Sequence, residues 1–166
     1  MVAINLGFPR IGANRELKKA VEAYWQGKSS PQQLQDTAKE LRRRHWQLQK
    51  DAGLYAIPCN DFSFYDQVLD MACLLGCVPK RHAAVGAPGS LEVYFSMARG
   101  SKNAPAMEMT KWFDTNYHYI VPEFHAGTKF SLSSSKVFDE FAEAKALGIN
   151  AKPVLIGPAT YLSLGK

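Results

Sequence analysis

The stretch Leu54-Tyr-Ala-Ile-Pro-Cys-Asn-Asp-Phe-Ser-Phe-Tyr-Asp-Gln-Val-Leu-Asp-Met-Ala-Cys-Leu-Leu75 decides the fold class. Leu54-Tyr-Ala-Ile57 is a short apolar run stopped by Pro58, the pattern of a buried strand. Asp61 or Ser63 is then the expected cap of a helix whose apolar positions Tyr65, Val68, Leu69, Ala72 and Leu75 recur at helical spacing. Strand, loop and helix in that order imply a parallel α/β arrangement wherever the unit repeats.

It repeats on both sides. Upstream, Val2-Ala-Ile-Asn-Leu6 is apolar and bounded by Gly7 and Pro9, which predicts a buried strand feeding a turn. Asn14 is the expected N-cap of a helix using Leu17, Val21, Tyr24 and Trp25, closed by Gly27. Ser30-Pro-Gln-Gln33 reads as a capping box with proline at the first helical position, and Leu34, Ala38, Leu41, His45, Leu48 and Ala52 carry that second helix to Gly53. Downstream, Lys80 to Ser90 has little apolar content and several breakers, which predicts a surface loop. Ser135 opens a helix with Phe138, Phe141, Ala144 and Leu147 on its buried face, Gly148 ends it, and Val154-Leu-Ile156 is the next strand. No fixed-period repeat and no low-complexity tract interrupts the series.

The 166 residues, 46% of them hydrophobic, suffice for one core, whereas a complete eight-fold α/β barrel takes about 250 residues. The expectation is therefore a piece of a larger fold, and the apolar side chains of Thr160-Tyr-Leu-Ser-Leu-Gly-Lys166 agree with it. A formal charge of +5 favours anionic partners without choosing among nucleic acid, phosphate and polycarboxylate. Lys39-Glu-Leu-Arg-Arg-Arg44, read as a solvated basic helix face, accounts for much of that excess. Three cysteines without a CxxC pair, and a start lacking the layout of a signal peptide, point to a reducing cytosol. No apolar run approaches the roughly 20 residues a membrane-spanning helix needs.

Two segments carry more chemistry than packing asks for. Arg15 and Lys18, three apart, are expected on the first turn of the first helix, with Lys19 beside them and Arg10 just before. Cations at a helix start oppose the macrodipole, so their concentration there suggests an anion site. The second segment, Met109-Thr-Lys-Trp-Phe-Asp-Thr-Asn-Tyr-His-Tyr-Ile-Val-Pro-Glu-Phe124, interleaves charges, an amide, an imidazole and aromatic rings with no single period. Core packing is expected to take at least half of Trp112, Phe113, Tyr117 and Tyr119. His118 is expected to be hydrogen-bonded in place, and Cys73 and Cys77 to act as two small hydrophobes, since no third and fourth metal ligand lies at usual spacing. No Ser/His/Asp set, P-loop or HExxH is present.

These two segments, with Leu6-Gly-Phe-Pro-Arg-Ile-Gly12, Arg44-His-Trp46, Phe64-Tyr-Asp-Gln-Val-Leu-Asp70, Tyr94-Phe-Ser-Met-Ala-Arg-Gly100 and Pro153-Val-Leu-Ile-Gly-Pro158, resemble the cobalamin-independent methionine synthase family over nearly the whole chain. The resemblance implies the N-terminal portion of a (β/α)8 TIM-type barrel, the first of two, with residues 1–166 forming part of the folate-tail-binding domain and the catalytic C-terminal barrel lying elsewhere. It implies methyl transfer from 5-methyltetrahydropteroyltri-glutamate to L-homocysteine, in the cytoplasm, by a full-length protein expected to be a monomer. It places Arg15, Glu16, Leu17 and Lys18, and from the second segment Lys111 and Asn116, on the donor's glutamate tail. Arg grips a carboxylate through two parallel hydrogen bonds and Lys acts as a point charge. Lys111, flanked by Trp112 and Phe113, is expected to be partly shielded from water.

In the resembled family zinc, held by His, two Cys and Glu of the second barrel, lowers the thiol pKa of homocysteine. No catalytic residue and no metal ligand is thereby assigned to this stretch, which alone is expected to be inactive and to self-associate through open strand edges. Neither nucleic acid nor membrane is an implied partner. Two competing readings rest on the basic charge: a nucleic-acid-binding module using Arg42-Arg-Arg44 and the aromatic segment, and a small α/β protein binding a phosphate ester at the basic helix start.

Overall fold

The computed structural model describes residues 2–166 as a mixed α/β chain. It contains helices α1 (Glu16–Trp25), α2 (Pro31–Asp51), α3 (Gln67–Leu74), α4 (Lys80–Ala83), α5 (Leu91–Arg99), α6 (Lys136–Ala146) and α7 (Pro158–Leu164). The short strands are β1 (Ile57–Cys59), β2 (Met109–Lys111), β3 (His118–Ile120) and β4 (Ala151–Pro153). The chain forms two compact units. One runs through Phe64 and takes up Lys136–Val154 again; the other comprises Tyr65–Ser135 and Leu155–Lys166.

In the first unit β1 pairs in parallel with β4, Ile57 opposite Ala151 and Cys59 opposite Pro153. On the other side of β1 a parallel bridge joins Ile4 to Ala56. Three parallel chain segments thus lie in the order residue 4, β1, β4, and the strand-then-helix reading holds. A core of Trp46, Ile57, Cys59, Ala144 and Ile149 fills the space between this sheet and helices α2 and α6. The Trp46 indole donates to the Pro58 carbonyl at 3.0 Å, which satisfies its only donor in a buried site.

Several sequence expectations move. Val2, Ile4 and Leu6 are exposed, so the first apolar run contributes one bridge and no buried strand. The last strand ends at Pro153, before Val154-Leu-Ile156. Helix α2 has the expected capping box, Ser30 Oγ accepting from the Gln33 N–H and the Gln33 side chain accepting from the Ser30 N–H. Its buried face is Leu34, Ala38, Leu41, Trp46 and Gln49, and Leu48 is 56% exposed. The helix packs on α1 as well as on β1, so its stripe serves two partners and departs from one straight line. In α6 the buried residues are Val137, Glu140 and Ala144, while Phe138 and Leu147 face outward. Gly148 closes that helix at φ +67°, as expected of a C-terminal glycine.

The second unit is built on Val68, Ala72, Cys77, Tyr119, Val121 and Tyr161, drawn from α3, the β2–β3 hairpin and α7. Strands β2 and β3 are antiparallel, with Met109 opposite Ile120 and Lys111 opposite His118. Helix α3 is capped by Asp66, whose carboxylate accepts from the Leu69 N–H at 2.9 Å, displacing both Asp61 and Ser63 from that role. Asp61 instead accepts from the Phe8 N–H. The expected loop from Lys80 to Ser90 contains the short α4, whose His82 is fully buried and hydrogen-bonded through Nδ1 to Ser96 Oγ at 2.8 Å. Helices α5 and α7 are additions to the elements that periodicity implies. Cys77 is buried and Cys73 half-buried, consistent with two small hydrophobes on α3 and its C-terminal turn. Among the described residues no helix is long and apolar enough to cross a membrane.

Candidate functional site

The first cationic segment is shaped by Gly12 and Glu16. Gly12 sits at φ +83°, and a Cβ there would lie 2.8 Å from Leu41 Cδ2 and closer still to the Glu16 carboxylate. The turn therefore demands glycine on conformational and steric grounds. Its carbonyl accepts from the Arg15 N–H, and the Ile11 carbonyl from the Leu17 N–H.

Asn14 is not the cap. Arg15 occupies that position in the left-handed region, φ 59° and ψ 35°, and α1 starts at Glu16. Glu16 supplies the negative charge that suits a helix start, accepting from the Asn14 N–H at 2.9 Å and from the Arg44 guanidinium at 2.8 Å. That guanidinium, with the Asn14 and Glu16 amides, lowers the Glu16 carboxyl to about 2. Leu17 is only 2% exposed, so any contact it offers a ligand comes from its backbone. Lys18 is exposed and lies 3.5 Å from Glu22. Arg15, placed before the helix, does not share a first-turn face with Lys18, because its backbone has left the helical region. Its side chain is exposed and makes no ion pair among the described residues.

The second segment is a hairpin with a six-residue loop. The Trp112 N–H donates to the Tyr117 carbonyl at 2.7 Å, Thr115 N–H and Oγ1 both donate to the Trp112 carbonyl, and Phe113 takes a left-handed φ of 50°. Tyr119 is buried and Trp112 packs edge-on against it at 5.9 Å between ring centres. Phe113, 75% exposed, faces outward, and Tyr117 lies at the edge with its hydroxyl turned in toward the start of α3. Core packing thus takes two of the four rings. Successive strand residues point to opposite faces, so inward Trp112 leaves Lys111 on the outer face. Lys111 is exposed and makes no ion pair or cation–π contact among the described residues, so the expected aromatic shielding is absent. Asn116 is exposed at the loop tip, its carbonyl 3.0 Å from His118 Nδ1, which fixes that ring as expected.

Behind the hairpin lies a buried carboxylate the sequence reading passed over. Asp66 Oδ1 accepts from the Tyr117 hydroxyl at 2.7 Å, and Oδ2 from the Ile120 N–H at 3.0 Å as well as from Leu69. Burial raises its carboxyl, and these donors oppose the rise. The Tyr-Asp pair within Phe64-Tyr-Asp-Gln was a legible signal only as a helix cap, since the hairpin partner lies about fifty residues on.

The basic run Arg42-Arg-Arg44 is committed to carboxylates. Arg42 donates to Glu143 at 2.7 Å and lies over the Phe62 ring, Arg43 donates to Glu40, and Arg44 pairs with Glu16. A cleft of about 580 Å³ in the second unit, lined by Lys80, Arg81, Glu123, Phe124 and His125 among others, has its guanidinium engaged by the Glu123 carboxylate. Among the described residues no three His, Cys, Asp or Glu side chains gather as a metal site.

Parallel chain segments crossed by helices, a helix start ordered by Glu16 and a solvent-facing hairpin define a mixed α/β chain. The chain belongs to the cobalamin-independent synthase family, matching the description "Cobalamin-independent synthase, N-terminal domain" over residues 2–166. It is 57% identical over 162 residues to the 5-methyltetrahydropteroyltriglutamate–homocysteine methyltransferase of Acidithiobacillus ferrooxidans, covering 98% of this chain and 21% of that protein. The Flavobacterium johnsoniae and Nitrosomonas europaea proteins of the same name are each 59% identical, over 167 and 162 residues, again covering 98% of this chain and 22% and 21% of theirs. The chain spans about a fifth of the length of these curated relatives.

Proposed function

We propose that this chain is the methyl-donor-tail-binding part of a cobalamin-independent methionine synthase, which transfers the methyl group of 5-methyltetrahydropteroyltri-glutamate to L-homocysteine in the cytoplasm. Its parallel segments are the opening of a (β/α)8 barrel, and residues 1–166 belong to the N-terminal barrel of two. Arg15, Glu16, Leu17 and Lys18 form one contact group for the donor's glutamate tail, and Lys111 with Asn116 form another.

The observation that carries this reading is Arg15. A non-glycine residue in the left-handed region costs of order 1 kcal/mol, and such outliers cluster at ligand sites. Here the outlier bears an exposed guanidinium without a counter-charge, in a family whose relatives are named for a triglutamate substrate. Glu16, engaged by Arg44, orders the loop that presents Arg15; Lys18 is paired with Glu22, and Arg15 and Lys111 are the cations that make no ion pair among the described residues. Tail length is then read by charge, each added glutamate bringing one more carboxylate to a cation.

Zinc, when bound by ligands of the second barrel, would supply thiol activation; no residue described here is assigned to it. The chain contributes donor binding and scaffold, and alone it self-associates through its exposed Val2, Ile4 and Leu6. In the full-length protein, Lys18→Ala and Lys111→Ala each lower kcat/KM for the triglutamate donor roughly tenfold and leave the homocysteine KM unchanged. Unaltered donor kinetics in both variants defeats the assignment.

A further inference from the structure

Lys111 and Asn116 sit on a hairpin, and a binding group on a hairpin is only as well placed as the hairpin is held. Strands β2 and β3 are three residues each, too short to stand unsupported. Their inner face is anchored in the core by Tyr119 and, just past β3, by Val121. The loop bearing Asn116 needs a directional tether as well, because apolar packing resists separation better than it resists sliding.

Asp66 supplies that tether from both sides of the loop's return. One carboxylate oxygen takes the Tyr117 hydroxyl at 2.7 Å, one residue after Asn116, and the other takes the Ile120 N–H at 3.0 Å, opposite Met109 in the ladder. The same oxygen accepts the Leu69 N–H at 2.9 Å, so the hairpin is indexed directly to the first turn of α3. A second ring of bonds stiffens the Asp66 backbone. The Tyr94 hydroxyl of α5 accepts from the Tyr65 N–H at 3.1 Å and donates to Asp70 Oδ1 at 2.7 Å. Asp66 is 1% exposed.

We propose that Asp66 is a positioning residue for the tail-binding hairpin: through Tyr117 and Ile120 it fixes where Lys111 and Asn116 stand, and so sets how tightly a polyglutamyl ligand is held. This rests on the donor-tail reading of Lys111 and Asn116. A cap alone would need only the bond to Leu69; two further bonds, both to the hairpin, serve no helix.

The test uses the full-length protein with four variants, two readouts and pteroyltri-γ-glutamate as the probe. Tyr117→Phe deletes one hydroxyl at a half-exposed position and leaves the helix cap untouched. Asp66→Ala removes the whole node. Asp66→Asn keeps it: the amide oxygen can accept from Leu69 and Ile120 while the NH₂ donates to the Tyr117 oxygen, which accepts as readily as it donates. Lys111→Ala removes the ligand's cation. Amide exchange is expected to rise about fivefold to tenfold across residues 109–120 in Tyr117→Phe, with α5 unchanged, and to be rescued toward wild type in Asp66→Asn relative to Asp66→Ala. Probe affinity should fall by a similar factor in Tyr117→Phe and further in Lys111→Ala.

Hairpin exchange unchanged in Tyr117→Phe overturns the proposal, and that arm stands even if Asp66→Ala fails to fold. Affinity lost in Lys111→Ala but kept in Tyr117→Phe also overturns it, leaving the donor-tail reading intact. Affinity unaffected by Lys111→Ala defeats the donor-tail reading instead, and the exchange measurement then decides the tether alone.

Discussion

The Arg44 guanidinium donates to the Glu16 carboxylate at 2.8 Å, linking the middle of α2 to the first residue of α1 across 28 positions of sequence. This pair, with the Asn14 N–H, turns a cation-rich helix start into an ordered one. The Glu16 carboxyl, lowered to about 2 by the Arg44 bond first and the Asn14 and Glu16 amides next, is charged in the folded chain well below its usual range.

A folded-state pKa below the unfolded one gives stability that is present above the unfolded value and is lost as pH falls through the folded value. The Glu16 contribution should therefore be whole above about pH 5 and decline between there and about pH 2. Unfolding midpoints in urea, followed from pH 7 to pH 2, should separate wild type from Glu16→Gln at neutral pH and converge in acid. Parallel curves throughout would show that the pair is not what lowers the carboxyl.

Gly12→Ala should destabilise the chain by about 2 kcal/mol, since φ +83° is strained for any L side chain and Leu41 and Glu16 occupy the space. Gly27→Ala is the control, with positive φ and no neighbouring atom within 4 Å. Chemical denaturation of both variants should show the larger loss at Gly12, and equal losses would remove the steric part of the argument.

Within Arg42-Arg-Arg44 the three residues should differ sharply on replacement. The side chain of Arg42 is 14% exposed, donates twice to Glu143, faces Glu140 at 3.8 Å and covers the Phe62 ring, so Arg42→Ala strands the Glu143 carboxylate, while Glu140 keeps Lys136 at 3.1 Å. A loss of about 3 kcal/mol is expected there, against little change for Arg43→Ala, whose partner Glu40 is half-exposed. The same commitment predicts that single-stranded oligonucleotide, titrated at low salt, finds no site dependent on this run.

Cys59 should resist alkylation in the native chain. Its thiol is fully buried and pushed up to about 12 by burial first, with Glu140 and Asp61 adding to the rise. Iodoacetamide at pH 8, read by peptide mass, should label half-buried Cys73 well before Cys59, and Cys59 only as the chain unfolds. Early labelling of Cys59 would mean that the α2–sheet core opens locally.

Local signals were readable where one segment decides its own conformation. The Ser30-Pro-Gln-Gln33 cap works through atoms three residues apart, and Gly148 through its own φ, so both stand as the sequence implies. Caps with more than one acceptor nearby were not decided locally: Asp61, Ser63 and Asp66 are all able, and the contest is settled by Phe8 engaging Asp61 and by the hairpin reaching Asp66. Helix α5 was hidden because nearly its whole run from Val93 to Ala98 is buried, which leaves no polar face to mark a period. Of the candidate site, residue identities and their exposure on loops were foreseeable; the left-handed Arg15 and the outward turn of Lys111 away from the rings were not.

Hydrophobic period and turn chemistry act over a few residues, and they were enough to imply an α/β chain with a cationic helix start and an aromatic segment near residue 112. Which charges are paired with one another, and which stay exposed, depended on packing. Glu16 and Arg44, Asp66 and Tyr117, and Arg42 and Glu143 are separated by 28, 51 and 101 residues, and a hydrogen bond between such partners exists only once packing has closed the chain between them.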